Sequence, residues 1–434
     1  MPQLIGAPED ATEWSDRQKA MRSIPAYIER STHFFVVCPA VSHLERGGVL
    51  CDFSSYLDNG ECRAEMHALN LARYNQVPAT IVKGEEATPY MIAGSSLISR
   101  PPGLGRFSCC ECNHTMVDEN GRRHTIPCAK AECGQMMLNL LATRRQFHRG
   151  RDELTMFRMF TLLSPHLMQG LVGSETLAVP GTVEEFLVAY QFKSATEGQN
   201  EGDGLSPLFC AAASSSLAVV RELVKREDVD VNKGLRRAFP QFSFPKGSTP
   251  LHACMGLCPQ HTHEITAALL EAGANPNATA EGGITPLMTC AHFRRFESMK
   301  ALLTCAADTI DLEQRLEVNG TTALGVATYR GTTKCVVLLL GAGANATGET
   351  DMGVTRVISA ACNPSCDEEM LEALMTSAVQ QNAPIDINYQ QRPQTTKWKA
   401  IYTVFQGVVL LNVSKSDFAK GECATQPALI MCEF

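Results

Sequence analysis

The chain has 434 residues, of which 44% are apolar and 19% charged, a composition that fits a folded protein of two or three domains. Its formal net charge of −8 argues against nucleic acid as a partner, because phosphate binding needs a concentrated positive surface. The sequence lacks a run of about 18 apolar residues, so we predict no membrane span. The polar, acidic N-terminus lacks the features of a signal peptide, and many of the 18 cysteines fall at predicted core positions. We therefore expect a reducing, cytoplasmic location.

The first 150 residues alternate between helix and strand patterns. An apolar run at 33–38 ends at a proline, which is typical of a strand buried on both faces of a parallel sheet. A helix pattern follows at 61–74, and a second strand is predicted at 79–82. The alternation predicts a Rossmann-like α/β domain over 1–150, so the fold class as a whole is α+β multidomain.

One stretch of this domain has a short motif. A strand, a loop with two serines and then a helix opening on Cys62-x-x-Glu65 resemble the second half of a TIR-type domain, over about residues 22–85. The resemblance implies that Glu65 is catalytic and that NAD is a substrate to be cleaved. The family has Trp where Glu61 stands, and its first strand has no counterpart here, so we expect either a truncated TIR-like domain or a different Rossmann-like domain. The alternative is that Glu65 is simply a carboxylate favoured near the positive end of its helix.

Residues 107–134 form a cysteine- and histidine-rich segment. A zinc site needs four nitrogen or sulfur ligands in a tetrahedron, often two pairs separated by a loop. Asn120-Gly121 lies within the intervening loop and predicts a hairpin turn. The pair spacings depart from C-x2-C, so buried thiols of a hairpin and a reactive cysteine pair remain alternatives. The candidate zinc ligands are Cys110, Cys112, His114, Cys128 and Cys133, with Cys109 and His124 as spares.

The middle of the chain is predicted to connect two domains. Helix patterns between 151 and 192 either close the first domain or cap the entrance of the second. The polar, glycine-rich stretch 193–204 predicts a linker.

A motif then recurs from residue 206 onward. Thr249-Pro250-Leu251-His252 and Thr285-Pro286-Leu287-Met288 combine a capping hydroxyl with a proline at the first helical position. Similar starts occur near 206, 322 and 355, and each is followed by a small residue and then by a second apolar helix pattern. The signature residues are Pro207, Thr249, Pro250, His252, Thr285, Pro286 and Thr322.

This pattern resembles the ankyrin repeat, which has a period of about 33 residues and a T-P-L-H-x-A signature. The resemblance implies an all-α solenoid over 205–390 in which each helix pair covers its neighbour, and a divergent or truncated terminal repeat over 391–434. It also implies binding of protein partners through the concave face. A second cysteine and histidine group between His252 and His263 is accounted for in part by the repeat helices.

An insertion over 235–246 separates the first two repeats. Its phenylalanines and arginines are residue types that anchor interfaces, although packing against neighbouring loops is the alternative. The candidate partner-binding residues are Arg236, Arg237, Phe239, Phe242 and Phe244.

These observations predict an intracellular scaffold protein that binds its partners through an ankyrin array and needs no cofactor, with a structural zinc as the candidate metal. The alternative is a TIR-like NAD-cleaving enzyme that the array localises or regulates.

Overall fold

A computed structural model of the protein describes residues 11–42, 50–73, 78–84, 87–92, 98–111, 113–117, 122–125, 128–177, 180–351, 353–361 and 366–381. Within these ranges the chain forms 17 α-helices and seven short strands. The terminal segment 391–434, predicted as a divergent or truncated repeat, lies outside the described residues.

The N-terminal region contains a small sheet with helices against it. Strand β1 pairs in parallel with β4, whose other edge pairs antiparallel with β5. Two hairpin-like pairs, β2–β3 and β6–β7, stand apart from this sheet. The elements are α1 (Ala11–Arg30), β1 (Phe34–Val37), β2 (Val41–Ser42), β3 (Leu50–Cys51), α2 (Phe53–Asp58), α3 (Gly60–Leu71), β4 (Ala79–Val82), β5 (Tyr90–Ile92), α4 (Ser108–Glu111), β6 (Thr115–Val117) and β7 (Arg123–Thr125).

The predicted strands at 33–38 and 79–82 and the helix between them are present, but the prediction that the first strand is buried on both faces is wrong. Val36 is buried, whereas Phe35 and Val37 on the opposite face are 58% and 65% exposed. Side chains alternate along a strand, and one face of β1 has no cover among the described elements. The three-stranded mixed sheet does not confirm the Rossmann-like or the TIR-like assignment, so both stay predictions.

Three longer helices follow, α5 (Ala129–Gly150), α6 (Leu154–Leu167) and α7 (Val183–Tyr190). Helix α6 packs between α5 and the first helix of the next region, and α7 packs on the second helix of that region. They therefore stand at the entrance of the helical array, in keeping with the capping alternative. The stretch 193–204 between them and the array is anchored, since Glu197 pairs with the buried Arg158 guanidinium at 2.7 Å.

In the described part of the chain, residues 207–380 form a stack of five helix pairs. First helices pack on first helices and second helices on second helices, so each pair covers the apolar face of its neighbour. The pairs are α8 (Pro207–Ala213) with α9 (Leu217–Leu223), α10 (Pro250–Leu257) with α11 (Thr262–Glu271), α12 (Pro286–His292) with α13 (Phe296–Cys305), α14 (Ala323–Arg330) with α15 (Thr333–Gly341), and α16 (Arg356–Ala361) with α17 (Glu368–Gln380).

The first helices of the first three pairs begin directly after a Ser or Thr whose hydroxyl can cap the helix. The hydroxyls of Ser206 and Thr285 each accept the amide of the third helical residue, at 3.2 Å in both cases. In the second pair, the Thr249 amide donates to Nδ1 of His252, whose Nε2 donates to the Ile284 carbonyl of the next loop at 3.0 Å. This histidine thus joins two consecutive pairs. The small residues that follow the motifs are all fully buried: Ala211, Cys254, Cys290, Ala327 and Ala360.

A ladder of polar side chains joins the loops that follow the second helices. The Asn232 side chain donates to the Gly273 carbonyl and accepts the Asn275 amide, and Asn277 binds the next loop in the same way at Thr309 and Asp311. Gln199 begins the ladder by accepting the Asp230 amide at 3.1 Å. Gln199 of the predicted linker is therefore hydrogen-bonded to the first loop of the array, as each ladder loop is to the next.

Glycine allows one very close contact in the N-terminal helices. A Cβ on Gly134 of α5 would overlap the Val172 carbonyl oxygen, whereas one on Gly150 of the same helix would meet no heavy atom within 4 Å. We expect Gly134→Ala to lower the free energy of unfolding by about 1–3 kcal/mol, as overpacking does. Gly150→Ala is the matched control and should be neutral or slightly stabilising. Urea denaturation measures both, and equal stability of the two variants would contradict the close contact.

Candidate functional site

The three phenylalanines of the insertion 235–246 point into the protein. Phe239, Phe242 and Phe244 are 1–2% exposed. Phe242 meets the ring of Phe160 on α6 edge-on at 5.3 Å, and Phe244 meets Phe209 of α8 at 5.4 Å. The structure therefore gives these residues the packing role that was the alternative to partner contact.

The arginines of the insertion remain at the surface. The Arg236 guanidinium donates to the Asn200 carbonyl at 2.7 Å, and Arg237 lies 3.7 Å from Asp203 and over the Phe239 ring. Both hold the insertion against the segment before the array. Their role as partner contacts stays a prediction.

The N-terminal region covers the first helices of the array. All residues of α8 and α10 are buried, although a helix with one partner face would leave the other exposed. The covering segments are α6 with its C-terminal turn and residues 98–104. The side-chain contacts that join them to the array are Gln241 to Met156, Arg295 to Gln169 and Arg330 to Ser99.

In the described part of the chain this cover is incomplete at the fourth and fifth pairs, although Arg330 of α14 still donates to Ser99. Val326 and Tyr329 of α14, and Val357 and Ile358 of α16, are partly exposed, in contrast to the first helices of the first two pairs. The nearby loop between the third and fourth pairs presents Val318, which is 63% exposed. We call Val318, Val326, Tyr329, Val357 and Ile358 the open face. It gathers apolar side chains that remain partly exposed in the described part of the array.

The open face has a polar edge. Arg315 on the loop before α14 pairs with Asp351 on the loop before α16 at 2.7 Å, and both side chains are about half exposed. An apolar centre with a charged rim is the usual anatomy of a protein interface.

Glu65 lies on α3 and is half-buried. Its carboxylate accepts a hydrogen bond from the Tyr56 hydroxyl at 3.4 Å, and burial, with Glu65 nearby, raises the pKa of that tyrosine. Burial, followed by Glu65, raises the pKa of Cys62 to about 12. These groups are thus held protonated beside one carboxylate. The catalytic role of Glu65 stays a prediction.

Three sulfur atoms of the cysteine-rich segment come together. Cys109, Cys110 and Cys128 lie at the N-terminus of α5, with every pair of sulfurs within 4.8 Å. We call them the thiol cluster. Cys109, a spare in the sequence prediction, belongs to it, whereas Cys133 is buried one turn further along α5 and does not. Cys112 lies outside the described residues.

One further feature escaped the sequence analysis, although it has a local sequence signal. Asp or Asn at the first position of each ladder loop accepts the amide two residues later at 2.9 Å, which repeats at Asp230, Asn275, Asp311 and Asn345. The thiol cluster was predicted in part, because Cys110 and Cys128 were candidate ligands and Cys109 was a spare.

Helix pairs that begin at Ser/Thr-Pro-Leu motifs and stack in register define the chain as a helical repeat protein. A family model described as Ankyrin repeat matches residues 203–234 and 246–281, which contain α8 to α11. The chain therefore contains ankyrin repeats. A comparison with curated proteins found no matching relative. Across the described parts of the chain, no helix has the length and apolar character needed to cross a membrane.

Proposed function

We propose that the protein is a scaffold that binds protein partners through the open face of its array. Ankyrin repeats are general protein-interaction modules, which supports the class of function. One observation supports the position of this binding surface. The first helices are fully buried in the first two pairs and partly exposed in the fourth and fifth pairs. The resemblance predicted the concave face as the binding surface, and the proposal narrows this to the part that the N-terminal region leaves uncovered.

The apolar composition of the open face favours a partner that buries Val318. A valine on a loop tip that is 63% exposed adds nothing to the core, and its burial in an interface would be favourable by roughly 1–2 kcal/mol. The Arg315–Asp351 pair beside it would set the orientation of the partner more than its affinity.

A photo-crosslinking residue placed at Val318 of the full chain tests this proposal. We expect discrete crosslinked products with a partner protein at Val318 and at Val326. Val188 on α7 is the matched control, because it is a valine that is 78% exposed and lies far from the open face in the sequence of stacked helices. Crosslinks to the same proteins at Val188 and Val318, or at Val188 alone, would contradict the proposal.

The NAD-cleaving alternative is separate from the array. It rests on the TIR-like resemblance and keeps Glu65 as its candidate. Nicotinamide release by the purified full chain, compared with Glu65→Ala, decides it.

A further inference from the structure

The sulfur atoms of the thiol cluster have the spacing of ligands around one metal ion. The distance between the sulfurs of Cys109 and Cys110 is 3.9 Å, and that between the sulfurs of Cys110 and Cys128 is 4.0 Å. Zn–S bonds of about 2.3 Å in a tetrahedron place neighbouring sulfurs about 3.8 Å apart. Two of the three pairs have this spacing and the third, Cys109 and Cys128, lies within 4.8 Å, so the sulfurs of α4 and of the residue before α5 approximate three corners of such a tetrahedron.

Without an ion, burial keeps the cluster protonated, because it raises the pKa of Cys109 to about 12 and that of Cys110 above its usual range, while one helix N-terminus acts in the opposite direction. The Ala129 amide, at the first turn of the 22-residue helix α5, donates to Cys109 Sγ at 3.3 Å. A long helix directs its positive end at this point, which stabilises a thiolate. Cys110 and Cys128 are only half-buried, so an ion has a path from solvent.

A core of thiols or a disulfide explains the cluster less well. A disulfide needs sulfurs about 2.05 Å apart and would pair two of the three, leaving the third without a role. Buried cysteines that serve only as small hydrophobes are found in the array, where Cys210, Cys254 and Cys290 are fully buried. Two members of the thiol cluster are not.

His114 is the candidate for the fourth ligand. Asn113 and His114 both have left-handed backbone conformations, with φ of 51° and 56°, which is costly for residues other than glycine. The turn is held by the His114 amide, which donates to the Cys109 carbonyl at 2.7 Å. Nδ1 of the His114 ring is shielded from solvent and has no hydrogen-bond partner. The His114 ring nitrogens are not within 4.8 Å of all three sulfurs, so the ring must turn toward the cluster for this unpartnered nitrogen to become the fourth ligand.

We propose that Cys109, Cys110, Cys128 and Nδ1 of His114 bind one zinc ion. Binding converts the three thiols to thiolates and releases their three protons to solvent, with no change in oxidation state. Four protein ligands close the coordination sphere, so the site is structural. It joins the turn at 109–114 to the start of α5, and through α5 to the helices that cover the array.

Zinc content of the purified full chain is the first test. Protein produced with zinc in the medium and purified under reducing conditions should retain one zinc per chain. Cys110→Ser and Cys128→Ser should lose it, while the controls Cys133→Ala and Cys305→Ser should keep it. Cys133 is the sharper control because it lies on the same helix and outside the cluster. A metal-free wild-type chain that gains no zinc on titration, or a disulfide within the cluster under those conditions, overturns the proposal.

Cobalt substitution tests the ligand set independently of folding stability. The wild-type chain reconstituted with Co²⁺ should show the strong visible bands of tetrahedral cobalt and a thiolate charge-transfer band, and both should be lost in Cys109→Ser. His114→Ala should bind Co²⁺ more than about tenfold more weakly. An unchanged affinity in that variant overturns the assignment of the fourth ligand, and octahedral cobalt in the wild type overturns the site.

Discussion

Replacing Phe244 with alanine should lower the free energy of unfolding by about 3–5 kcal/mol. The ring is 1% exposed and lies between Phe209 of α8 and Phe293 after α12, at centroid distances of 5.4 and 6.0 Å. Its removal leaves a cavity that backbone from three separate elements would have to close. Chemical denaturation followed by circular dichroism measures the loss.

Gln241 provides the matched control for Phe244. It lies in the same insertion and is exposed, so Gln241→Ala should change stability by less than about 0.5 kcal/mol. The comparison also separates the two interpretations of the insertion. Loss of partner binding in Phe244→Ala with unchanged unfolding would mean that the ring faces a partner.

Acidification should destabilise the protein strongly between pH 6.5 and 5. Burial lowers the pKa of three histidines, that of His166 and His292 to about 3 and that of His252 to about 4. Neighbouring arginines add to the effect of burial at His166 and His292. A histidine with a depressed pKa favours the folded state while it is neutral. This stability is complete above the unfolded pKa of 6.5 and is lost as the pH falls below it.

Each such histidine lowers the free energy of unfolding by up to about 1.4 kcal/mol per pH unit below 6.5. His166, His252 and His292 together therefore lower it by on the order of 5 kcal/mol at pH 5. Carboxylates contribute little above pH 5, which isolates the histidines. Equilibrium denaturation at a series of pH values measures the slope. The variant His252→Asn should reduce this slope by the contribution of one proton. A stability that stays constant from pH 7 to 5 would show that these histidines are not held neutral by the fold.

The start of each first helix could be predicted because its causes are local. The hydroxyl of Ser206 or Thr285, the following proline and the amide three residues on all lie within one turn. A capping bond of this kind forms wherever the helix is placed, so four residues of sequence are enough to locate it. The small residues at Cys254 and Ala327 were predictable for a related reason, since the repeat itself implies a neighbouring helix at that position.

The same reasoning failed where the neighbour comes from a distant part of the chain. Nothing within the insertion shows whether Phe242 faces a partner or the protein, because its cover is Phe160, which belongs to another region. Likewise, Cys109 and Cys128 lie on either side of the antiparallel β6–β7 pair, which returns the chain to the same place. The identity of the thiol cluster therefore depended on backbone geometry and not on spacing alone.

The sequence by itself determined that the C-terminal half is an array of helix pairs, because capping and apolar periodicity act between residues a few positions apart. The tertiary structure decided which surface of that array remains available. Helix α6 and residues 98–104 lie over the first helices because apolar burial is not directional, and any matching apolar surface of the chain can supply the cover. Only the packed molecule shows that Val326 and Val357 stay partly exposed among the described residues, and this is the observation on which the proposed binding surface rests.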